Sequence, residues 1–114
     1  MLKIKRDQKQ KFYLKDLEVT EYRTIKLEDK NYFIDIDIKR SNSKVFYIDI
    51  TFMNRSDGSE EGKINYKLYT DGLGKRDIKN TMNDFLIISI QDFLNKTDSK
   101  KLNQKIYNFI KEEL

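Results

Sequence analysis

Three aspartates in two alternating segments, Asp35 and Asp37 of IDIDI and Asp49 of YIDIT, are the residues best placed to do chemistry. Carboxylates gathered on one surface can hold Mg²⁺ or Ca²⁺, which take oxygen ligands. A metal-bound hydroxide held there could then attack a phosphodiester. An open sheet face does not supply the converging ligands such ions need, so the expectation is a solvated charged face with no metal and no cofactor. Composition closes most other routes. The 114 residues include no histidine and no cysteine, which excludes Ser-His-Asp and Cys-His mechanisms, disulfides and thiolate metal sites. The chain reads as a protein without catalytic residues, not an enzyme.

Binding chemistry is better represented. Tyr47 and Tyr69, with Lys63, Asn65 and Lys67 beside them, combine rings on which bases stack with cations that track phosphates. The N-terminal cluster Lys3, Lys5, Arg6, Lys9, Lys11 and Lys15 would add salt-dependent affinity for phosphates. Residues 1–15 carry six basic side chains against one acidic, residues 16–62 carry seven against eleven, and residues 63–114 carry ten against seven. That polarised pattern, inside a net charge of +4, is less one-sided than a dedicated phosphate-binding domain. A protein partner would use the same surface differently. Tyr47 and Tyr69 would anchor it, and Asp35, Asp37, Asp49, Glu60 and Glu61 would meet a basic patch.

Two further segments carry less. Gly72-Leu73-Gly74-Lys75-Arg76 precedes a helix start but matches neither the P-loop nor the dinucleotide-binding spacing. Asp57-Gly58-Ser59-Glu60-Glu61 is acidic without the spacing of a calcium loop and reads as a hairpin turn.

The elements that must position these residues follow from periodicity. Residues 32–38, 45–53 and 63–69 alternate apolar and polar, the pattern of strands with one buried face. A hairpin centred on Asn42 sets Ile38 against Phe46, Ile36 against Ile48 and Ile34 against Ile50. A second, centred on Gly58, sets Phe52 against Ile64, Ile50 against Tyr66 and Ile48 against Leu68. Both turns put the same residues of the middle strand inward. An earlier strand, with Leu17, Val19, Ile25 and Leu27, joins through a turn at Asp29 and Lys30. It places Ile25 against Ile34, Leu27 against Tyr32 and Arg23 inward opposite Ile36, with a bulge or a strand end near Glu21–Arg23. The outer face then shows Phe33, Asp35, Asp37 and Lys39, next Tyr47, Asp49, Thr51 and Met53, and last Lys63, Asn65, Lys67 and Tyr69. In that register Asp35 faces Asp49 and Tyr47 faces Tyr69.

Beyond the turn at Asp71-Gly72, Asp77 is the expected N-cap of a helix carrying Ile78, Met82, Phe85, Leu86, Ser89, Ile90 and Phe93 at helical spacing. The β-branched pair Ile87-Ile88 keeps a strand over 85–90 as a competing assignment. Thr97 or Asp98 is expected to cap a last helix with the stripe Leu102, Ile106, Phe109, Ile110 and Leu114. The fold class is therefore α+β: a four-stranded antiparallel meander followed by two C-terminal helices packed on one face. In element order alone this resembles the single-strand-binding transcription cofactor and Whirly architecture, and no residue role follows from the likeness. One domain is expected over 1–114, with 1–15 a basic arm or first element, 16–70 the meander and 77–114 the helical part.

No apolar run has signal-peptide or membrane-spanning length, so a cytoplasmic protein is expected. The richness in Lys, Ile, Asn, Asp, Tyr and Phe, without Pro or Trp, has the character of an AT-rich genome and of phage or mobile-element proteins. The functional expectation is a small inhibitor or adaptor, of anti-defence type, that occludes a protein such as a nucleic-acid-processing enzyme. The alternative is a single-stranded DNA or RNA binder. A homodimer could form through an edge strand that the meander leaves, or through a helix.

Overall fold

The computed structural model describes residues 2–11, 19–41, 44–97 and 102–113. Five strands come first: β1 (Lys3–Lys11), β2 (Val19–Glu28), β3 (Tyr32–Ser41), β4 (Val45–Asn54) and β5 (Glu60–Tyr69). Two helices follow, α1 (Lys75–Lys96) and α2 (Gln104–Glu113). The strands form one antiparallel sheet in sequence order. The α+β class with two C-terminal helices is as periodicity predicts, but the sheet has five strands rather than four. The fifth is β1, formed by the basic segment that periodicity leaves unassigned. Its only apolar residue, Ile4, lies opposite Leu27, whereas the next inward positions hold Asp7 opposite Ile25 and Lys9 opposite Arg23. Polar residues at inward positions erase the alternation that would reveal a strand.

The buried face and the exposed face fall as the alternation requires, but every pairing differs from expectation by two residues. Ile34 faces Phe52, Ile36 faces Ile50 and Ile38 faces Ile48. Across the next pair Ile48 faces Tyr66, Ile50 faces Ile64 and Phe52 faces Gly62. Ile25 faces Ile36, Leu27 faces Ile34 and Arg23 faces Ile38. A shift of two preserves which side chains point inward, so alternation cannot detect it; the turns decide. At the β2–β3 turn the Asp29 carboxylate accepts from the backbone N–H of Asn31 and of Tyr32, both at 2.7 Å. That Asx turn joins Asp29 to Tyr32 and tightens the hairpin. At the β4–β5 turn Gly58 takes φ +73°, and the irregularity between Phe52 and Met53 leaves Glu61 unpaired. The Asn42 centre lies outside the described residues.

Both helices cover one face. Ile25, Leu27, Ile34, Ile36, Ile48, Ile50 and Phe52 are buried against Met82, Leu86, Ile90 and Leu94 of α1 and Ile106 and Ile110 of α2. Phe52 stacks on Phe93 at 4.0 Å and Tyr66 on Phe85 at 4.4 Å. Each such aliphatic side chain contributes about 1.5–3 kcal/mol by leaving water, which outweighs the weak helix propensity of Ile87-Ile88; residues 85–90 are helical.

The caps differ from expectation. Gly74 occupies the N-cap of α1 and Asp77 lies in its first turn, where a carboxylate still favours the helix dipole. Thr97 closes α1, its N–H donating to the Phe93 carbonyl. Asn103 caps α2: its side-chain oxygen accepts from the Ile106 N–H at 3.0 Å, while its amide donates to the Leu2 carbonyl at 2.6 Å. Asp98 lies outside the described residues.

Arg23 is the inward cation that alternation leaves unexplained. Its guanidinium donates twice to the Asp7 carboxylate, at 2.8 Å each, and once to the Glu113 carbonyl at 2.6 Å. It also stands over the Phe109 ring at 5.8 Å. One side chain thus ties β1 and β2 to the end of α2, and the sheet irregularity expected near it lies between Val19 and Glu21. No helix among the described residues is long and apolar enough to cross a membrane.

Candidate functional site

With both helices on one side, the other side of the sheet is open, and the register arranges it in cross-strand rows. One row runs Arg6, Lys26, Asp35, Thr51, Lys63. The next runs Gln8, Thr24, Asp37, Asp49, Asn65, and the third Tyr22, Lys39, Tyr47, Lys67. Asp49 therefore faces Asp37, and Asp35 faces Thr51, in place of the expected Asp35–Asp49 pair. Tyr47 faces Lys67 and Tyr69 faces Val45, so the expected tyrosine pair is absent. Both corrections come from the two-residue offset of the hairpins.

The three aspartates differ in their surroundings. Asp37 accepts from the Tyr22 hydroxyl at 2.8 Å and from the Thr24 hydroxyl at 3.2 Å. Asp35 lies 3.9 Å from the Lys26 ammonium. Burial nevertheless pushes Asp35 above the ordinary carboxylate range, against the pull of Lys26 and with help from the negative charge of Asp37. Asp49 has no hydrogen bond or ion pair among the described residues, although it stands across from another carboxylate. Tyr22 also records this field. The Thr24 hydrogen bond favours its phenolate, but burial, the bond to Asp37 and the charges of Asp37 and Asp49 together raise it.

Cations and rings alternate along the third row. Lys39 stands 5.8 Å over the Tyr22 ring and Lys67 stands 5.6 Å over Tyr47. Lys39, Tyr47, Asp49, Asn65 and Lys67 line a shallow depression at this end of the face. At the opposite end Phe33 lies between the Lys5 ammonium, at 5.0 Å, and the Arg55 guanidinium, at 5.7 Å. The largely buried Glu28 pairs with Arg55 at 2.9 Å and sits 4.0 Å from Lys5.

The residues expected to act together are only partly assembled. Asp35, Asp37 and Asp49 are neighbours. Glu60 lies at the strand end opposite Met53, and the Glu61 carboxylate accepts from the Asn54 amide at 3.1 Å. Among its described residues the basic segment forms no continuous track: Arg6 belongs to the outer row, Lys9 faces Arg23, and Lys3 faces Glu28 at the strand end. The side chain of Lys11 lies outside the described residues. Tyr22 and Thr24 were not singled out from sequence, although an inward Arg23 implies by alternation that both point outward. The Lys5–Phe33–Arg55–Glu28 cluster had no such signal, because Glu28, Phe33 and Arg55 meet only in the folded sheet and Lys5 reaches them only through β1.

Among the described residues no group of three or more acidic side chains is placed to hold a metal ion. The open face is acidic along its middle row and edged by lysines and rings. No family model matches the chain, and comparison with curated proteins and with solved structures finds no match.

Proposed function

We propose that this chain is a small non-enzymatic binding protein, an inhibitor or adaptor that occludes a protein partner through the open face of its sheet. The observation that supports this is the unpaired Asp49 carboxylate facing Asp37 at the centre of that face. Like charges directly opposite on neighbouring strands destabilise a sheet, and among the described residues no hydrogen bond or ion pair offsets this pair at Asp49. A basic surface on a partner would offset it, with Tyr47 and the cations around it setting register. A groove built to hold phosphates, as in a nucleic-acid-processing enzyme, has that character.

The test is capture from extracts of the cells that encode the protein. Wild type should retain a partner that Asp35→Lys plus Asp49→Lys loses at least tenfold. Asp92→Lys plus Glu112→Lys, the same charge change on the helices, should retain it. Equal capture by both variants would refute the assignment.

The row Tyr22, Lys39, Tyr47, Lys67 favours a second reading, a single-stranded nucleic-acid binder that stacks bases on the two rings. Removing residues 1–10 would delete strand β1 here, so the variant that tests it is Lys39→Gln plus Lys67→Gln. Loss of salt-dependent binding to single strands by that variant would support the second reading.

A further inference from the structure

The sheet has two unequal edges. β1 is interrupted by the irregularity between Ile4 and Arg6 and carries four cations in its nine residues besides Arg6, two devices that discourage pairing with another strand. β5 has neither an interruption nor a cover over Gly62–Tyr69, and among the described residues no strand lies on its outer side. The Thr70 N–H donates to the Lys44 carbonyl at 2.8 Å. By the alternation of antiparallel ladders, the even residues of β5 exchange hydrogen bonds with β4. Lys63, Asn65, Lys67 and Tyr69 then turn their N–H and C=O groups to the open edge. The two most exposed large apolar side chains among the described residues lie on this side of the molecule. Tyr69 is 68% exposed, and Ile88, 61% exposed, is one turn along α1 from Phe85, which stacks on Tyr66.

We infer that β5 pairs antiparallel with β5 of a second copy about a two-fold axis at Tyr66, giving a ten-stranded sheet. Charge selects that register. Axes at Asn65 or Lys67 bring lysine onto lysine, Lys63 against Lys67 in the first and Lys67 against itself in the second. An axis at Ile64 runs the pairing into the irregular segment at Glu61. The axis at Tyr66 sets Asn65 against Lys67 and Lys63 against Tyr69, twice each, and uses the whole regular strand. On the inner side it brings Ile64 against Leu68 of the other copy. A two-fold contact of this kind closes on itself and stops at the dimer.

The experiment is sedimentation equilibrium of the full chain over a range of concentrations. Wild type should behave as a reversible dimer. Asn65→Lys places two lysine pairs across the interface and should weaken association about fivefold; Asn65→Glu creates two ion pairs and should tighten it by about the same factor. Asn65→Pro removes an N–H that the monomer does not use and should give a folded monomer. Melting curves identify any variant that fails to fold, and the opposed charge variants decide the register without the proline. A wild type that is monomeric at every concentration, a dimer indifferent to Asn65, or pairing with an unrelated strand instead would overturn the inference.

Discussion

Asp37 and Asp49 stand opposite each other on adjacent strands, and among the described residues only Asp37 has hydroxyl donors to spread its charge. Replacing Asp49 with the near-isosteric Asn should therefore stabilise the protein by about 0.5 kcal/mol in urea unfolding. A loss of stability would place the pair among the supports of the fold. Arg23 behaves oppositely. Its side chain is 12% exposed and donates three hydrogen bonds, so Arg23→Ala should cost about 2 kcal/mol by leaving Asp7 without its partner. The hydrogen bonds from Arg23, against a smaller effect of burial, hold Asp7 below the ordinary carboxylate range. A depressed folded-state value means stability that is complete above the unfolded value and lost as pH falls through the folded one. Asp35 is raised, chiefly by burial, so its contribution is complete at low pH and is lost as pH rises through the folded value. Thermal melting against pH should then show Asp7→Asn less stable than wild type at neutral pH, with the gap closing in acid. Asp35→Asn should be more stable at neutral pH, with its advantage vanishing in acid. At this scale the outward set was legible because alternation assigns faces, and the partners were not, because opposition depends on register.

Among the elements, the long helix and the central strands could be read directly, since Ile34, Ile36, Ile48, Ile50, Leu86 and Ile90 recur with the period of their structure. β1 could not, because its inward positions hold Asp7 and Lys9, and what makes Asp7 tolerable there is Arg23 on the next strand. The start of α2 was misplaced for a related reason. Asn103 caps the helix and also holds the Leu2 carbonyl, a long-range contact that local sequence does not announce. Asn103→Ala should cost about 1–2 kcal/mol and Asn103→Asp, which keeps the cap, about 1 kcal/mol less than that. Hydrogen exchange should show α2 loosened in the alanine variant and the start of β1 loosened in both. Equal protection in all three proteins would contradict the double role.

For the molecule as a whole, a net charge of +4 suggests nucleic acid, and the arrangement of that charge argues against it. The described cations of β1 do not line up, Arg23 is consumed by Asp7, Arg55 by Glu28, and an acidic row divides the lysines of the open face. Phosphate tracking needs contiguous positive potential, whereas a protein partner can match a surface of alternating sign. The most direct test of that choice is fluorescence anisotropy with labelled single-stranded DNA, duplex DNA and RNA at low and near-physiological salt. The account predicts weak binding at low salt, without preference among the three and lost near physiological salt. Tight binding to single strands that survives near-physiological salt, and that falls in Lys39→Gln plus Lys67→Gln, would contradict it.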